Sequence, residues 1–544
     1  MTNIETKNNG TQEETYGKTI VAYNIIENEQ VCPIKDEYFS STNPSQLLDC
    51  VAQVPASTKQ DVQMAVQSAK RAFASWKQTP SPIRGTLIGR LGQLIEKHKT
   101  SLAHLMTREM GKTRKEAMGE VQEAIDTCHF FQSEGRRLYG QTVPSEMRNK
   151  ELFTYRRPYG VVAMITPSNF PLAVASWKAI PALLAGNTLV WKSPPEAPAI
   201  AYLFSLLFLE AGFPKGCINL IHGDAGVGQM LMEEVDQGNI QKVSFTGSTR
   251  VGKIIGEICG RNLQTPSLEL GGKNPLVVME DANLDLAVHG AVWASYGTAG
   301  QRCTSAGNII LHKSIAAKFV QEFVKQSKAI KIGNPNLDES VLYGPMIDKH
   351  YFDHFMEHFE KAQKDGAKLI MGDGRITKDH KPENFSGDPE NGYYLWPTLW
   401  ENIKIDDWLA QNEVFGPCVG IIEVGSIEEA IECANGTNYG LSSAIYTQNR
   451  MYAYQFKSQI QSGMCSINNS TTGAEAHLPF GGMKNSGNGT RESGIWVLDA
   501  FTQWQAVNDE LSGKLQLAQM DTEMLDQELS SNLQLDEIIP GARS

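Results

Sequence analysis

A cysteine in a glycine-rich run is the first candidate for chemistry in this sequence. Cys303 lies within residues 296–308, where glycines at 297, 300 and 307 give the backbone freedom to aim a sulfur atom. Glu269 lies 34 positions earlier, between Leu268 and Leu270. A thiolate that attacks a carbonyl carbon creates an oxyanion, which the amides of such a turn can bind. The pair therefore indicates a nucleophile and a general base.

Further motifs accompany this pair in a fixed order. Phe-Thr-Gly-Ser-Thr-Arg-Val-Gly spans residues 245–252, Leu-Glu-Leu-Gly-Gly-Lys-Asn spans 268–274, and Asn-Glu-Val-Phe-Gly-Pro spans 412–417. Together with the cysteine segment they resemble the motifs of the aldehyde dehydrogenase superfamily. The resemblance runs from about residue 40 to about residue 507. Within the superfamily it is closest to the aminoadipate semialdehyde dehydrogenases, the antiquitin branch.

The resemblance implies a covalent mechanism. Cys303 attacks an aldehyde to form a thiohemiacetal, and the oxyanion is bound by the Asn169 side-chain amide and the Cys303 backbone N–H. A nicotinamide cofactor accepts the hydride, because protein side chains supply no such acceptor. Glu269 then activates the water that hydrolyses the thioester. The alternatives are a turn role for Asn169 and a structural salt bridge for Glu269.

The cofactor implied is NAD, with NADP also open. Ser248 and its neighbouring amides lie at the predicted start of a helix, where the dipole suits a pyrophosphate. Many relatives carry an acid three residues after the ribose-binding lysine, but this chain has Pro195 there and the acid follows as Glu196. Ser168 also stands where the family has an aromatic residue. The predicted cofactor-binding residues are Thr166, Lys192, Gly247, Ser248, Gly271, Glu413 and Phe415.

The substrate implied is an amino acid semialdehyde, such as aminoadipate semialdehyde or the cyclic imine in equilibrium with it. Glu123 would meet an amino group, a loop at Gly473 and Ala474 would take a carboxylate, and Arg302 would add a cation. Each also has a structural alternative: a solvated helix face for Glu123, a salt bridge with a neighbouring strand for Arg302, and an ordinary turn for Gly473. The predicted substrate-binding residues are Glu123, Phe170, Trp177, Arg302, Gly473, Ala474 and Phe480.

Three other functions compete with this hypothesis. A pyrroline-5-carboxylate dehydrogenase would use a similar carboxylate loop on a shorter substrate. Acyl transfer to coenzyme A is disfavoured, because relatives with that activity usually lack the hydrolytic glutamate that Glu269 provides. A non-catalytic scaffold on an inherited fold is the alternative of a different class.

The segment pattern predicts an α/β fold of the aldehyde dehydrogenase type, with two doubly wound domains and a small bridging β-sheet. Residues 58–150 show apolar spacing typical of helices, and short apolar strands alternate with helices from residue 159 onward. Such alternation favours parallel sheets, with ligands at the carboxyl ends of the strands. We expect an NAD-binding domain at 21–148 and 160–270 and a catalytic domain at 271–469.

The remaining segments have separate expectations. Residues 1–20 are polar and predicted to be disordered. Residues 149–159 and 490–508 would form the bridging sheet for subunit pairing, so a homodimer or homotetramer is expected. Residues 470–489 form the substrate anchor loop region. Residues 509–544 extend past the family's usual end, with apolar spacing at 515–525 that allows a helix.

Composition excludes several other classes. The net charge of −12 argues against nucleic acid as a partner, and no apolar run approaches the ~18 residues of a membrane span. Nine cysteines without a Cys-x-x-Cys pair indicate neither a disulfide framework nor a metal site. We expect no metal, a small-molecule aldehyde as the partner, and a reducing, cytoplasmic location.

Overall fold

The computed structural model describes residues 4–7, 17–32, 37–517 and 520 of the 544-residue chain. The chain divides into two compact units, Met1–Arg137 with Pro158–Thr502, and Leu138–Arg157 with Gln503–Ser544. Both predicted α/β regions belong to the first unit. Within the described ranges, no helix is both long enough and apolar enough to cross a membrane.

The first sheet of the larger unit has seven strands, of which five are parallel. Their buried residues are rich in Val, Ile and Leu, as expected for strands covered on both faces. An antiparallel hairpin extends one edge. In spatial order the strands are Ser267–Glu269, Lys242–Thr246, Val161–Ile165, Thr188–Lys192, Ile218–Ile221, Asn24–Ile26 and Glu29–Val31.

Helices alternate with these strands, which confirms the predicted doubly wound arrangement of this half. The helices are Ala173–Ala185, Pro198–Ala211, Ala225–Asp236 and Thr249–Arg261. The sequence pattern did not predict the third of these helices or the strand Ser267–Glu269.

The second sheet also has seven strands, and six of them are parallel. In spatial order they are Lys368–Met371, Thr398–Glu401, Cys418–Val424, Ala306–His312, Asn274–Val278, Ser442–Tyr446 and Met464–Ile467. The first strand is antiparallel to its neighbour. The associated helices are Leu284–Tyr296, Ala316–Lys328, Lys349–Lys364, Trp408–Gln411, Ile427–Asn435 and Arg450–Gln459, with 3₁₀ turns at Gly297–Gly300 and Pro389–Asn391. This region fits the second α/β unit predicted for 271–469.

A helical layer precedes the first parallel sheet. Its helices are Lys59–Trp76, Ser81–Lys97, Lys99–Met110 and Arg114–Glu134. Capping boxes at Thr58 with Asp61 and at Thr113 with Glu116 start the first and last of them. The prediction of helices over 58–150 is therefore correct to residue 134. It is wrong at Thr142–Val143 and at the start of Lys150–Pro158, which are strands whose backbone groups pair with each other.

The predicted disorder of residues 1–20 is wrong in part. Thr6–Lys7 pairs with Thr19–Val21 in a four-stranded sheet whose other strands are Gln46–Pro55 and Tyr38–Asn43. Pairing with a neighbouring strand satisfies the backbone groups of this polar segment, which composition alone does not reveal. Residues 1–3 and 8–16 lie outside the described residues.

Two short elements complete the larger unit. Tyr439–Gly440 pairs with Met483–Lys484, and a short helix spans Val497–Phe501. The strand Met483–Lys484 lies within the predicted anchor loop region at 470–489, and the helix Val497–Phe501 follows that region.

The smaller unit is a three-stranded sheet of Thr502–Glu510, Lys150–Pro158 and Thr142–Val143. Of the two segments predicted to form the bridging sheet, 149–159 is a strand at 150–158, whereas 490–508 is a strand only from 502 onward and includes the helix Val497–Phe501. The Trp504 side chain is 52% exposed, and the Arg156 guanidinium stacks 4.2 Å from its ring centre. Of the predicted C-terminal helix, residues 515–517 are described and are not helical. Residues 521–525 of that helix lie outside the described part of the chain.

Candidate active site

A cavity of about 740 Å³ in the larger unit brings most of the predicted site residues together. The first sheet contributes residues that follow its strands, whereas Cys303, Glu413 and Phe415 precede strands of the second sheet. The predicted residues that line the cavity are Glu123, Asn169, Phe170, Trp177, Gly247, Ser248, Glu269, Gly271, Arg302, Cys303, Glu413, Phe415, Gly473, Ala474 and Phe480. Thr166 and Lys192 are not in its wall.

The loop that carries Cys303 is held by side-chain hydrogen bonds. The Asn274 amide donates to the carbonyl oxygens of Cys303 and Ser305, each at 2.8 Å. The Gln301 side chain accepts from the Ile347 N–H at 2.9 Å. Gly300 has φ +70°, and a Cβ atom there would collide with the backbone of Gly416. The nucleophile loop therefore has one tightly specified conformation, and only glycine fits position 300.

The Cys303 thiol is half-buried in a negative environment. Burial, followed by the charges of Glu413 and Glu269 in the same direction, raises its pKa to about 12. At pH 7 the thiol of the free protein is therefore neutral. Its attack on a carbonyl requires a base that removes the proton.

Glu269 is a buried carboxyl group at the end of a strand. Neither of its oxygens makes a hydrogen bond of normal geometry with the described residues. Burial and the charge of Glu492 raise its pKa well above 4.5, and Lys178 acts in the opposite direction. A Cβ atom at Gly481 would crowd one of its oxygens, so the glycine leaves the space that the carboxyl needs. A high pKa and an unpartnered carboxyl are properties of a general base.

The sequence analysis missed the ion pair beside Glu269. Lys178 and Glu492 are both buried and form a salt bridge, and the Lys178 ammonium also donates to the Ser244 hydroxyl at 3.1 Å. The helix Ala173–Ala185 is buried along its whole length, and Lys178 is its one charged residue. A lysine in such an apolar helix needs a partner, and that signal was available in the sequence.

Asn169 lies against the nucleophile loop. Its side-chain amide donates one hydrogen bond to the Gln301 carbonyl oxygen at 2.8 Å. The amide has a second N–H, which remains for an oxyanion. The Lys112 ammonium donates to the Asn169 backbone carbonyl at 2.8 Å and so fixes this segment from the other side.

One half of the cavity has the features of a dinucleotide site. Ser248 caps the helix Thr249–Arg261 by accepting from the Val251 N–H at 3.4 Å. The Thr246 hydroxyl is buried and has no hydrogen-bond partner within the described chain. A helix N-terminus beside an unused hydroxyl suits a phosphate group. The residues present therefore fit the pyrophosphate of NAD or NADP.

Glu413 and Phe415 form the opposite wall of this half. The Glu413 carboxylate accepts from the Gly272 N–H at 3.0 Å, and burial raises its pKa to about 7. A Cβ at Gly271 would collide with Glu413, which explains the glycine. Phe415 packs 5.5 Å from the Tyr351 ring. The remaining oxygen of Glu413 is suited to accept from a ribose hydroxyl.

Thr166 and Lys192 lie at neighbouring strand ends but outside the cavity wall. The Thr166 hydroxyl accepts from the Trp191 indole N–H at 3.0 Å, so it is already engaged. Burial lowers the pKa of Lys192 to about 8. The Glu196 carboxyl is buried near Ser168 and Asp348, and burial raises its pKa. The small side chain of Ser168 thus leaves room for Glu196, the acid that stands one position later here than in many relatives.

The distal part of the cavity is aromatic. Phe480 and Trp177 pack with ring centres 4.9 Å apart, and Phe170 and Ala474 join the same apolar cluster. Gly473 has φ +130° and open space where a side chain would begin. Such a wall suits an aliphatic chain that ends beside exposed backbone amides.

Two charged residues reach this distal part. One Glu123 oxygen is buried and lacks a hydrogen-bond partner among the residues described. Burial raises the Glu123 pKa to about 8, with Glu120 as the next cause. Arg302 lines the cavity but pairs with Glu116 at 2.8 Å and stacks 4.5 Å from the Trp293 ring centre. The partner of Arg302 lies on a helix and not on the neighbouring strand that was expected. Much of the positive charge of Arg302 is therefore already balanced by Glu116.

Comparison with known proteins agrees with this fold and site. A model described as "Aldehyde dehydrogenase family" matches residues 33–507. The chain belongs to the aldehyde dehydrogenase family, and it is an enzyme that oxidises aldehydes with NAD or NADP.

The relatives differ in the aldehyde that their names give. α-Ketoglutaric semialdehyde dehydrogenase of Bacillus subtilis is 36% identical over 498 residues, 91% of this chain and 98% of that protein. Human retinaldehyde dehydrogenase 3 is 36% identical over 481 residues, 88% of this chain and 90% of that protein. Betaine aldehyde dehydrogenase of Staphylococcus aureus in complex with NAD⁺ superposes with a TM-score of 0.86 at 31% identity, covering 91% of this chain and 96% of that one.

These findings confirm the family but not the narrower resemblance to the aminoadipate branch. The Bacillus relative is named for a 2-oxo acid semialdehyde and matches nearly the whole chain.

Proposed function

We propose that this enzyme oxidises the aldehyde end of a short semialdehyde that carries a carboxylate at its other end, with an amino acid semialdehyde as the first candidate. The observation that carries this proposal is the buried Glu123 oxygen that has no hydrogen-bond partner among the described residues, in the same cavity wall as Gly473 and Cys303. An acid and the backbone amides at Gly473 offer two points that can hold an amino acid group.

The first chemical step proposed is addition of the thiol to the aldehyde. Glu269 takes the proton from the Cys303 sulfur, and the sulfur bonds to the carbonyl carbon. The free N–H of the Asn169 amide and the Cys303 backbone N–H stabilise the oxygen as its charge develops. The bound dinucleotide supplies the acceptor for the hydride that leaves this carbon.

The second step proposed is hydrolysis of the thioester. Glu269 first releases to solvent the proton that it took from the thiol. As a carboxylate again, it removes a proton from a water molecule that attacks the thioester carbon. The carbon–sulfur bond breaks, the acid is released, and the Cys303 sulfur takes the proton then held by Glu269. The absence of normal hydrogen bonds at Glu269 within the described structure leaves the carboxyl free to serve both steps.

For the cofactor, we propose that Gly247 and Ser248 hold the pyrophosphate and that Glu413 and Phe415 hold the nicotinamide ribose. Gly271 provides clearance for Glu413. Lys192 and Thr166 would contact the adenosine side, from positions just outside the cavity wall. The lowered pKa of Lys192 is still about 8, so the lysine is mostly charged at pH 7.

The substrate assignment rests on charge. A substrate ammonium beside Glu123 would favour the ionised carboxylate and would restore a partner to its buried oxygen. The backbone N–H groups of Gly473 and Ala474 would donate to the substrate carboxylate, while Phe170, Trp177 and Phe480 would cover the aliphatic chain. Arg302 adds positive potential beyond its pairing with Glu116.

A second candidate is a 2-oxo acid semialdehyde. The name of the Bacillus relative favours it, and so does the raised pKa of Glu123, about 8. At pH 7 that carboxyl would be mostly protonated and could donate to a ketone oxygen instead of pairing with an ammonium. The two candidate substrates differ in one functional group, an amino group or a ketone, and Glu123 would contact that group.

A substrate panel tests the proposal. Aminoadipate semialdehyde, glutamate semialdehyde (the open form of pyrroline-5-carboxylate), α-ketoglutarate semialdehyde and propanal would each be assayed with NAD and with NADP. We expect kcat/KM for at least one carboxylate-bearing aldehyde to exceed that for propanal by about 100-fold, the value of two charge-assisted contacts. Equal values for all four would reject the assignment of a carboxylate-bearing substrate.

Assembly and location are also proposed from the described residues. The three-stranded sheet exposes Trp504 (52%) and Tyr155 (44%), which supports pairing of subunits into a homodimer or homotetramer through this sheet. All nine cysteines are free thiols. A nucleophilic thiol in such a set supports a reducing compartment such as the cytoplasm.

A further inference from the structure

One side of the helix Arg114–Glu134 faces both loops that carry the proposed chemistry. Glu116 and Glu120 are four residues apart, and Lys112 precedes Glu116 by four. Glu116 and Glu120 therefore share a helix face, and Lys112 lies two residues before the helix begins. The Lys112 and Glu120 side chains are fully buried, and that of Glu116 is 4% exposed. We call Lys112, Glu116 and Glu120 the bracket.

We propose that the bracket sets the position of Asn169 relative to Cys303, so its members are positioning residues for the oxyanion site. This inference rests on the proposed roles of Asn169 and Cys303. It adds three residues that no sequence motif singled out and that act through the loops they hold.

Glu116 holds the nucleophile loop. One of its oxygens accepts from the Thr298 N–H at 2.7 Å, the Thr298 hydroxyl at 2.9 Å and the Arg302 guanidinium at 2.8 Å. Its other oxygen accepts from the Thr113 hydroxyl at 2.8 Å in the capping box. Thr298 has φ +53°, a conformation that a residue other than glycine adopts only when its surroundings impose it. The Glu116 carboxylate is one of the groups that hold it, together with Gln301 and Arg302.

Glu116 remains ionised in this position. Burial alone would raise its pKa, but Arg302 and Lys112, with the hydrogen bonds from Thr113 and Thr298, hold the pKa below its usual value. A charged acceptor binds its donors more strongly than a neutral one. The nucleophile loop is therefore attached to the start of the helix by a charge-assisted contact.

Lys112 and Glu120 hold the asparagine loop. The Lys112 ammonium donates to the Asn169 carbonyl at 2.8 Å, forms a salt bridge with Glu120, and lies 3.6 Å from the Phe170 ring centre. Glu120 accepts from the backbone N–H groups of Leu172 at 2.9 Å and Ala173 at 3.1 Å. These donors lie at the start of the helix Ala173–Ala185. Asn169 is thus fixed through its own carbonyl and through the helix that follows it.

The two loops meet where the Asn169 amide donates to the Gln301 carbonyl, two residues before the nucleophile. One rigid helix therefore holds both partners of the oxyanion site. A displacement of ~1 Å between reacting groups can cost ~10²-fold in rate, so this common support affects the rate of turnover.

The chain contains a matched control for Glu120. Glu109 is also a buried carboxyl that accepts from two backbone N–H groups at the start of a helix, Ala199 at 2.8 Å and Ile200 at 2.9 Å. Glu109 does not line the cavity. Glu109→Gln makes the same substitution in the same kind of contact, away from the proposed chemistry. Asp61→Asn serves in the same way for the capping box of Glu116.

The experiment compares Glu120→Gln and Glu116→Gln with Glu109→Gln and Asp61→Asn in the full chain. Propanal with NAD is the assay, because propanal has no charged group that could contact the altered residues. Each variant is also tested for the NAD dissociation constant, the melting temperature, and the rate at which iodoacetamide alkylates Cys303. Alkylation needs the thiol but no oxyanion site.

We expect Glu120→Gln to lower kcat by about 10-fold, between no displacement and the ~10²-fold cost of a full ångström. Its NAD dissociation constant and its alkylation rate should stay at the wild-type values. Glu116→Gln should lower kcat and also change the alkylation rate, because it releases the loop of the thiol itself. Both control variants should keep the wild-type kcat even where their melting temperatures fall.

Two results would overturn the inference. Equal kcat values for Glu120→Gln and Glu109→Gln would show that the bracket does not position Asn169. A parallel loss of turnover and alkylation in Glu120→Gln would indicate a merely structural role. If the wild-type protein turns over propanal and the variants give either of these two results, the bracket alone is rejected. If aldehyde oxidation persists after Cys303→Ala, the proposed function is rejected.

Discussion

The two ends of the active-site cavity are built in different ways. At the reacting end, Cys303 and Asn169 lie in loops fixed by side-chain hydrogen bonds, and Glu269 is enclosed beside a buried ion pair. At the distal end, the wall is an apolar cluster with a free Glu123 oxygen and an open turn at Gly473. Apart from the Glu269 carboxyl, whose oxygens make no normal hydrogen bond with the described residues, the reacting end is specified by contacts within the chain. At the distal end, the buried Glu123 oxygen is a polar group available for a ligand.

This difference separates reaction from selectivity. A rigid reacting end suits a step that all substrates share, because preorganised donors stabilise charge without rearrangement. Unused groups at the distal end distinguish substrates by what those substrates bring to them. Relatives named for quite different aldehydes, an oxo acid semialdehyde and retinaldehyde, fit such a division. Substitutions at the two ends should therefore have different kinetic signatures.

The largest effect is expected at the nucleophile. Cys303→Ala should lower aldehyde-dependent reduction of NAD by at least three orders of magnitude, about the loss seen when a nucleophile is removed from an enzyme. The loss should be the same for every aldehyde tested, because this end serves all of them. A thermal shift with NAD is the control: at 100 times its dissociation constant NAD should still stabilise the variant by ~2.7 kcal/mol.

The next effect is expected at the base. Glu269→Gln should lower steady-state turnover by about 10²- to 10⁴-fold, the usual contribution of a general base. Stopped-flow absorbance of NADH would measure both the first turnover and the steady-state rate that follows it. Retention of wild-type steady-state turnover would remove Glu269 from the mechanism.

The pH dependence of the wild-type enzyme sharpens this result. The active form of Glu269 is the carboxylate, and its folded-state pKa is raised well above 4.5. The fraction ionised therefore grows as pH rises through that higher pKa, so kcat should still increase with pH above the usual range of a carboxyl group. A kcat that is already constant from pH 5 upward would contradict the raised pKa.

A smaller effect is expected at Asn169. Asn169→Ala should lower kcat by about 10²- to 10³-fold, the cost of one oxyanion donor, with little change in the NAD dissociation constant. Asn169→Asp offers a matched test, because it keeps the size and replaces the donor by an acceptor. Initial rates with propanal measure the loss without a contribution from the distal end. If Asn169→Asp were as active as wild type, the amide would not be a donor.

The smallest effect, and the only selective one, is expected at Glu123. Glu123→Gln should raise KM for an amino acid semialdehyde by about 10-fold through loss of one charge-assisted contact. The values for propanal should stay the same. Asp126→Asn, which changes an exposed acid one turn later on the same helix, is the control. An equal change in KM for all aldehydes would assign Glu123 to the reacting end. It would contradict the proposed difference between the two ends of the cavity.

The sequence predicted the reacting end well because its residues lie in continuous motifs. Cys303, Glu269 and Ser248 each stand within a run of glycines and small residues that determines the local backbone. The predicted strands Val161–Ile165 and Thr188–Lys192 and the helices after them are apolar runs of the expected length. Local pattern and local structure agree in these segments.

Other features depend on contacts between distant segments, and local pattern does not encode them. The pairing of Lys178 with Glu492 joins residues 314 positions apart. Thr6–Lys7 is a strand because Thr19–Val21 pairs with it, not because of its own composition. The bracket contacts of Glu116 reach Thr298 and Arg302 across 182 and 186 positions. The charge balance of Arg302 could therefore not be predicted from its position beside the nucleophile.

The most direct test of the central claim is to find where the substrate is bound covalently. Wild-type enzyme mixed with NAD and a substrate aldehyde, quenched in acid during the first turnover and digested, should contain an acyl group on the peptide that carries Cys303. Tandem mass spectrometry should assign the added mass to that sulfur, and Cys303→Ala should lack the adduct. Turnover-competent enzyme with no adduct, or with an adduct on another of its nine cysteines, would contradict the account.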